Sequence, residues 1–104
     1  MVTYVEAATA PLKNNGQIKL HDAAAFEGMR RAGRIAAEAL DALVDIVRPG
    51  VTTLEIDDFV HRFGLERGAL PATLGYRGYT RSSCTSINHV VCHGIPNEKP
   101  LREG

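Results

Sequence analysis

The dipeptide Pro49-Gly50 constrains the fold of this chain most strongly, because it separates two helical patterns and helices rarely continue through such a pair. Before it, Asp22 stands where an N-cap belongs, and apolar residues then recur at spacings of three and four. These residues are Met29, Ala32, Ala36, Leu40, Leu43 and Val47. The spacing predicts a helix that begins after Asp22, ends at Pro49-Gly50 and buries this stripe. The interior glycines Gly28 and Gly33 predict close packing against another element.

A second helix is predicted directly after Pro49-Gly50. Thr52 and Glu55 have the spacing of a capping box, in which each side chain binds the backbone amide of the other residue. Gly68 stands where a C-terminal cap belongs. The predicted core residues of this helix are Ile56, Phe59, Val60 and Phe63. His61 lies off the centre of that stripe, so we expect a surface residue rather than a metal ligand.

After Pro71 the sequence becomes rich in β-branched, aromatic and glycine residues and loses the helical period. We predict a glycine-hinged loop over residues 75 to 80. A β-hairpin follows, with strands near 82–87 and 90–95 and a turn at Asn88-His89. In that register Cys84 faces His93 directly, because opposed residues of a hairpin share one face of the sheet. Cys92 then points to the other face, where a small thiol suits a buried core.

Composition excludes several classes of protein. At 104 residues the chain is one domain at most, and twelve basic and twelve acidic residues leave no net charge. That balance argues against nucleic-acid binding. No apolar run approaches the ~20 residues of a membrane helix, and the start of the chain is not typical of a secretory signal. With only two cysteines, we expect a cytoplasmic protein with reduced thiols. Residues 1–17 show no period and are predicted to be a flexible extension.

The chemistry of Cys84 and His93 stays open at the level of spacing alone. A thiol and an imidazole can form a nucleophile and its base, yet no third orienting group or oxyanion loop is recognisable. A zinc site would need three or four ligands, and only one histidine stands beside the thiol. Asp57 and Asp58 are adjacent on a helix and cannot both face one ion. The remaining interpretations are the wall of a pocket or a hydrogen-bonded polar pair on a sheet.

The stretch GYRGYTRSSCTSINHVVCHGIPNEKPLREG resembles the corresponding segment of type I methionine aminopeptidases, which carries Gly-Tyr-x-Gly-Tyr, Ser-x-Cys-x-Ser-x-Asn and Val-Val-Cys-His-Gly-Ile-Pro. The segments MRRAGRIAAEAL and RPGVTTLEID are also similar to the amino-terminal portion of that family. The resemblance covers about residues 18 to 104. Because its motifs are long and mixed in residue type, we consider it specific.

The resemblance implies roles for individual residues. His93 matches the histidine that contacts the substrate beside the metal centre and helps to stabilise the reacting peptide bond. Tyr76, Tyr79 and Cys84 match residues that line the pocket for the methionine side chain.

A further pair, Asn88 and Val90, matches positions associated with a monovalent-ion site. Arg77, Thr80 and His89 depart from the residues common in the family, which are histidine, proline and glutamate. These departures bear on the fine specificity of the loop rather than on the family.

For the fold, the resemblance implies an α+β class: the amino-terminal part of the pseudo-symmetric pita-bread fold, with two helices followed by a β-hairpin. Residues 18–104 would form this truncated half. The family holds two divalent metal ions (Co, Fe, Mn or Zn) with two aspartates, a histidine and two glutamates, and none of these ligands is matched in this chain. We therefore expect no metal bound by these residues alone.

The function implied is removal of the initiator methionine from new proteins when the next residue is small. Its partners would be nascent polypeptide N-termini at the ribosome, without direct nucleic-acid or membrane contact, and the complete enzyme would be monomeric. The isolated chain is expected to be inactive. The alternative is a non-catalytic module that reuses the half-fold to bind peptides or partner proteins.

Overall fold

A computed structural model describes all residues, Met1–Gly104, and contains a pair of short strands followed by two helices. The strands are β1, Tyr4–Glu6, and β2, Ile18–Leu20; the helices are α1, Ala23–Leu43, and α2, Thr53–Glu66. Single 3₁₀ turns occupy Ala7–Thr9 and Tyr76–Gly78. The chain divides into two compact units, Met1–Gly33 and Arg34–Gly104. Neither helix combines the length and the apolar character needed to cross a membrane.

The first unit contains a two-stranded parallel sheet. β1 pairs with β2 in the register Tyr4 to Ile18 through Glu6 to Leu20, and the Ile18 amide donates to the Thr3 carbonyl at 2.9 Å. The sequence showed no element within residues 1–17, because strands of three residues are too short to carry a period. The flexibility and the domain boundary that we assigned to this segment stay predictions.

Helix α1 begins where the sequence predicts and ends earlier. The Ala25 amide donates to Asp22 Oδ1 at 2.9 Å, which confirms the N-cap. The helix ends at Leu43. The residues that follow form turns, and the Ile46 amide donates to the Leu43 carbonyl, three positions earlier, at 3.0 Å. The predicted end at Pro49-Gly50 is therefore too late. Tightening to three-residue hydrogen bonds is common at helix ends.

The predicted buried stripe of α1 is wrong. Met29 and Leu40 are 74% and 68% exposed, whereas Ala39 is buried. The half-buried residues around Ala39 are Ile35, Ala42, Leu43 and Ile46. The buried face is thus the one reached by moving one residue along the chain, about 100° around the helix. Because α1 carries apolar residues on both faces, its period alone could not select between them. Gly33 has nothing within 4 Å of a built Cβ, so its predicted close packing is also wrong.

Helix α2 has the predicted caps at both ends. The Glu55 amide donates to Thr52 Oγ1 at 3.1 Å and the Thr52 amide donates to Glu55 Oε2 at 2.7 Å, which completes the capping box. At the other end Gly68 is left-handed, with φ 73°. The Gly68 and Ala69 amides bond to the Leu65 and Gly64 carbonyls, which is the Schellman arrangement.

The core of the second unit lies on the predicted face of α2. Ile56 and Phe63 are buried, and Phe59 and Val60 are half-buried. The rings of Phe59 and Phe63 are 5.7 Å apart, and the Arg67 guanidinium lies 3.3 Å from the centre of the Phe63 ring. This apolar stripe is confirmed. The aromatic pair and the cation contribute beyond the burial of area alone.

The carboxyl-terminal segment is tied to the start of α2. Thr53, only 1% exposed, donates through Oγ1 to the Asn97 carbonyl at 3.2 Å and accepts from the Asn97 amide at 2.8 Å. The Leu54 amide also donates to the Asn97 carbonyl, and Leu101 exchanges backbone hydrogen bonds with Gly50 and Val51. These contacts place residues 97–101 against the turn between the two helices.

The predicted hairpin strands near 82–87 and 90–95 are wrong, although the predicted turn is present. The Val90 amide donates to the Ile87 carbonyl at 3.1 Å, and Asn88 is left-handed with φ 54°, as a turn at Asn88-His89 requires. Beyond the turn, the backbone hydrogen bond joining the flanks runs from the Thr85 amide to the Gly94 carbonyl, two positions away from the predicted pairing. A regular two-strand ladder therefore does not form.

Candidate active site

The glycine-hinged loop predicted over residues 75 to 80 is present. Gly75 and Gly78 both have φ 81°, a conformation that glycine adopts without a steric cost. The Gly75 amide donates to the Tyr79 carbonyl at 2.7 Å, and the Tyr79 amide donates to the Tyr76 carbonyl at 3.0 Å. The two left-handed glycines thus allow residues 75–79 to form a closed, hydrogen-bonded turn. The chain then continues from Tyr79 to residues 82–84. We call residues 75–84 the pocket loop.

Two predicted site residues, Tyr79 and Cys84, meet in the pocket loop. The Tyr79 hydroxyl donates to the Ser83 carbonyl at 2.6 Å and accepts from the Cys84 thiol at 3.8 Å. Partial burial raises the pKa of the Tyr79 phenol above its ordinary value of 10.0, and its hydrogen bond to Cys84 and the nearby Asp57 carboxylate add to the shift, against an opposing effect of Arg81. The phenol therefore stays neutral and keeps its donor at physiological pH.

The pocket loop is fastened to α2 by a buried carboxylate. Asp57, 3% exposed, accepts at Oδ1 from the Ser82 amide at 3.0 Å and from the Ser83 hydroxyl at 2.6 Å. His61 Nδ1 lies 2.8 Å from Ser82 Oγ, and the Thr73 hydroxyl donates to the Ser82 carbonyl at 2.7 Å. Ser82 thus has hydrogen bonds at its amide, its hydroxyl and its carbonyl. The expectation that His61 is a surface residue is wrong, since it is half-buried and hydrogen-bonded.

His93 does not oppose Cys84 in the predicted way. The flanks pair at Thr85 and Gly94, and a Cβ built on Gly94 would lie 2.7 Å from the Thr85 carbonyl carbon and 2.9 Å from Ser86 Cα. This close approach requires glycine and sets a register other than the predicted one. His93 precedes Gly94, is exposed and has φ 54°, an uncommon conformation for a residue with a Cβ. Cys92 is exposed, so its expected core position is also wrong.

The other predicted site residues lie apart from the Tyr79 and Cys84 contact. Tyr76 is 64% exposed, and the Arg77 guanidinium lies 5.5 Å from the centre of its ring. Asn88 and Val90 flank the tip of the turn and are both exposed. Two depressions of the surface, of about 300 and 280 Å³, are lined by residues outside the predicted site, such as His21 and Leu101.

The residues of this chain do not fit a metal centre. No group of three or more histidine, cysteine, aspartate or glutamate side chains is placed to hold an ion. Asp57 is buried and Asp58 is exposed, so the adjacent carboxylates point apart as their helical spacing predicts. Asp57 Oδ1 is already engaged by two donors. A divalent ion would therefore need ligands other than these residues.

Comparison with known families decides the assignment. The family model described as Metallopeptidase family M24 matches residues 27–104. The chain belongs to metallopeptidase family M24. It is 54% identical over 87 residues to "Methionine aminopeptidase" of Rickettsia prowazekii, covering 84% of this chain and 34% of that protein. It is 46% identical over 101 residues to "Methionine aminopeptidase 1D, chloroplastic/mitochondrial" of Arabidopsis thaliana, covering 97% of this chain and 29% of that protein.

A solved structure of a relative has the same fold over most of this chain. The crystal structure of methionine aminopeptidase from Rickettsia prowazekii matches with a TM-score of 0.81 and 53% identity, over 85% of this chain and 36% of that one. The resemblance to methionine aminopeptidases and the α+β pita-bread class are confirmed. The chain spans about a third of the length of these M24 relatives.

The sequence analysis does not identify the residues that fasten the pocket loop and the carboxyl-terminal segment to α2. Thr53, Asp57 and His61 are four residues apart along α2 and form one column beside the apolar stripe. Each makes a hydrogen bond to a residue at least 21 positions away. The signal was visible as three polar residues at helical spacing. The sequence analysis weighs Asp57 only together with Asp58, as a pair of candidate ligands, and treats His61 as a surface residue.

Proposed function

We propose that this chain is the amino-terminal portion of a metal-dependent methionine aminopeptidase, and that it contributes the substrate-facing wall of the active site. The contact between Tyr79 and Cys84 carries the proposal, because it joins two of the three residues matched to the methionine pocket on one fastened loop. The complete enzyme would remove the initiator methionine from nascent chains when the next residue is small. It would act as a cytoplasmic monomer on polypeptide N-termini at the ribosome.

The proposed wall presents apolar and polarisable atoms to the substrate and has few free hydrogen-bond donors. The Tyr79 hydroxyl is engaged with the Ser83 carbonyl, and the Cys84 thiol is directed at the Tyr79 oxygen. A ring face and a sulfur atom are therefore what a substrate side chain would contact. Thioethers make favourable contacts with aromatic rings, so a methionine side chain suits such a wall. Tyr76, exposed on the same loop, would complete the wall by closing over the substrate.

His93 is proposed to act on the peptide bond rather than in the pocket. Its ring is exposed next to a glycine that is packed tightly against Thr85 and Ser86, so its backbone is held while its side chain is free to meet a substrate. An imidazole N–H there would donate to the carbonyl oxygen as negative charge develops on it, and stabilise the transition state more than the bound substrate. Asn88 and Val90 would contribute to a monovalent-ion site at the turn.

The metal chemistry is assigned to residues outside this chain. The family description implies a metallopeptidase, and we propose two divalent ions, Co, Fe, Mn or Zn, in the complete enzyme. Because these 104 residues do not form a ligand set, the isolated chain should neither take up such ions at micromolar concentration nor cleave Met-Gly or Met-Ala peptides. Stoichiometric uptake measured by calorimetry, and abolished in His93→Ala, would contradict the proposal.

The function is tested in a chimeric enzyme, in which residues 18–104 replace the corresponding portion of the Rickettsia prowazekii relative. We expect it to release methionine from Met-Gly and Met-Ala peptides. His93→Ala should lower kcat by roughly 10²–10³, the scale for losing one donor to a developing oxyanion, with KM and metal content nearly unchanged. Cys84→Ser should cost much less, since a serine hydroxyl can still donate to Tyr79.

His89→Ala provides a matched control, since His89 is an exposed histidine at the neighbouring turn. It should leave kcat within a factor of about three. A fully metallated chimera that is inactive in Cys84→Ser but active in His93→Ala would favour a thiol mechanism and contradict the proposal. Peptide binding without cleavage by the parent chimera would support the alternative, a non-catalytic binding module.

A further inference from the structure

Asp57 is the one buried carboxylate of the chain, and the proposed mechanism does not use it. It lies about one turn after the start of α2 at Thr53, and its Oδ1 accepts hydrogen bonds from the Ser82 amide and the Ser83 hydroxyl. Burying a carboxylate is costly unless hydrogen bonds compensate it. Charge-assisted hydrogen bonds are about twice as strong as neutral ones. The two hydrogen bonds therefore offset the cost of burial and link α2 to Ser82 and Ser83.

The hydrogen bonds run in series from Asp57 to the proposed substrate wall. Asp57 fixes the Ser83 side chain, the Ser83 carbonyl accepts from the Tyr79 hydroxyl at 2.6 Å, and the Tyr79 oxygen accepts from the Cys84 thiol. His61, one helical turn after Asp57, holds the Ser82 hydroxyl. The positions of Tyr79 and Cys84 are thus set from α2, without any direct contact between Asp57 and a substrate.

We propose that Asp57 is a positioning residue that sets the shape of the methionine side-chain pocket, and thereby its preference for an unbranched thioether over a branched aliphatic side chain. The inference rests on the proposed function. Asp57 does not bind substrate. It holds Ser82 and Ser83 so that the Tyr79 ring and the Cys84 sulfur stay at one separation. A narrow pocket whose wall does not move admits a linear side chain and excludes one that is branched at Cγ, such as leucine.

Releasing the loop should change discrimination more than the rate of the chemical step. Without its acceptor on Asp57, the Ser83 hydroxyl has no partner, and the Tyr79 ring gains freedom to move away from Cys84. A pocket with a mobile wall would accept branched side chains and would bind the methionine side chain less tightly. The reacting peptide bond is served by His93, which has no hydrogen bond to this network. The expected signature is a change in KM and in side-chain preference, with kcat for methionine peptides little affected.

The test uses the chimeric enzyme with paired peptides that begin with Met-Gly or Leu-Gly. Asp57→Leu should lower the ratio of kcat/KM for the methionine peptide to that for the leucine peptide by about tenfold, which corresponds to a loss of about 1.4 kcal/mol in discrimination between the two side chains. The change should come from KM, with kcat for the methionine peptide within about threefold. Asp57→Asn keeps an acceptor oxygen and should restore most of the ratio.

Asp58→Leu and Asp58→Asn are matched controls, because Asp58 is the adjacent carboxylate and is exposed. Both should leave the ratio unchanged. A second readout is the alkylation rate of Cys84, followed by peptide mapping, which should rise in Asp57→Leu and not in Asp58→Leu. If Asp57→Leu does not fold, Ser83→Ala replaces it, because it removes the hydroxyl that donates to Asp57 Oδ1. Ser83→Ala should lower the ratio and raise the Cys84 alkylation rate, and a variant unchanged in both would overturn the role of Asp57.

The outcomes separate the two proposals. A parent chimera without activity contradicts the proposed function, and the Cys84 alkylation rates then still report on whether Asp57 holds the loop. An active parent in which the Asp57 and Asp58 variants have equal ratios and equal alkylation rates overturns the role of Asp57. Equal losses of kcat for both peptides, without a change of ratio, would also overturn it, since that result indicates a purely structural residue.

Discussion

At the scale of single residues, two threonines with buried hydroxyl groups make opposite use of them. Thr53 Oγ1 both donates to and accepts from Asn97, whereas the buried Oγ1 of Thr85 has no hydrogen-bond partner. A buried polar group contributes to stability only when it is paired, and costs free energy otherwise. The two positions therefore offer a direct comparison.

We expect Thr53→Val to lower the free energy of unfolding by about 1–3 kcal/mol, because valine has nearly the same shape and leaves the Asn97 amide without a partner. Thr85→Val should be neutral or raise it by up to about 1 kcal/mol, because it removes only an unpaired hydroxyl. Urea denaturation of the chimeric enzyme and both variants provides the measurement. Equal destabilisation by the two substitutions would contradict the assigned hydrogen bonds.

The phenol of Tyr79 gives a second prediction, which concerns pH. Its folded-state pKa is raised above 10.0, so the stability from its hydrogen bonds is fully present below pH 10.0 and is lost as the pH rises through the higher folded value. The difference in tyrosinate absorbance between the chimera and Tyr79→Phe should have its midpoint above that pH. The same difference against Tyr76→Phe serves for comparison. A Tyr79 midpoint below 10.0 would contradict the placement of Cys84 and Asp57 around this phenol.

At the scale of elements, the caps determine where α2 begins and ends. Two glycines, one inside the helix and one just beyond its end, test this. Gly64 lies inside the helix and Gly68 has φ 73° at its end, and a Cβ would meet no atom closer than 3.6 Å at either site. Gly64→Ala should stabilise by up to about 1 kcal/mol, through helix propensity. Gly68→Ala should destabilise by about 1 kcal/mol, through its left-handed backbone.

Thermal unfolding of the chimera and the two glycine variants checks these signs. Thr52→Ala, which removes half of the capping box, should cost about 1 kcal/mol in the same experiment. Two glycine substitutions with the same sign would mean that α2 does not end at Glu66 in solution.

The elements also show which features the sequence could predict. The caps of α2, the glycine loop and the turn at Asn88-His89 depend on hydrogen bonds between residues three to five apart, so their signals are local. The buried face of α1 and the pairing beyond the turn depend on distant residues. Only Gly94, which admits a backbone contact that no side chain would tolerate, indicates the true register, and a glycine before Ile-Pro has no such meaning in the sequence alone.

The candidate site also has one part that the sequence could predict and one part that it could not. Residue type and motif were enough to bring Tyr79 and Cys84 under consideration, and the structure puts them in contact. The supporting column of Thr53, Asp57 and His61 was missed because its partners lie 21 to 44 residues away. Polar residues at helical spacing next to an apolar stripe indicate such a column, but they do not identify the residues that it binds.

At the scale of the whole molecule, the buried apolar residues are few. Ala39, Ile56 and Phe63 are the buried hydrophobic residues, while Leu40, Val44, Leu70 and Val91 are each more than 65% exposed. Exposed apolar area of this kind is typical of surfaces that are covered by other protein. The chain spans about a third of its relatives' length, and in the complete enzyme that we propose, the other residues would cover this area.

We therefore expect the isolated chain to bind a hydrophobic dye and to associate as its concentration rises, as measured by dye fluorescence and static light scattering. The chimeric enzyme should do neither. Leu70→Glu and Val91→Glu should reduce association of the isolated chain, and Thr80→Glu, at an exposed polar site, provides the control. A monodisperse monomer that binds no dye would contradict this expectation.

The pairing of Thr53 with Asn97 also sets an order of events in folding. The two residues are 44 positions apart, and closing a loop of that length costs about 3 kcal/mol of chain entropy in addition to a constant. While the chain is being synthesised, α2 can form with its own caps, but its first turn gains these partners only after residues 97–101 have been made. Residues 97–101 should therefore dock late and detach early, with amide hydrogens that exchange with solvent faster than those within α2.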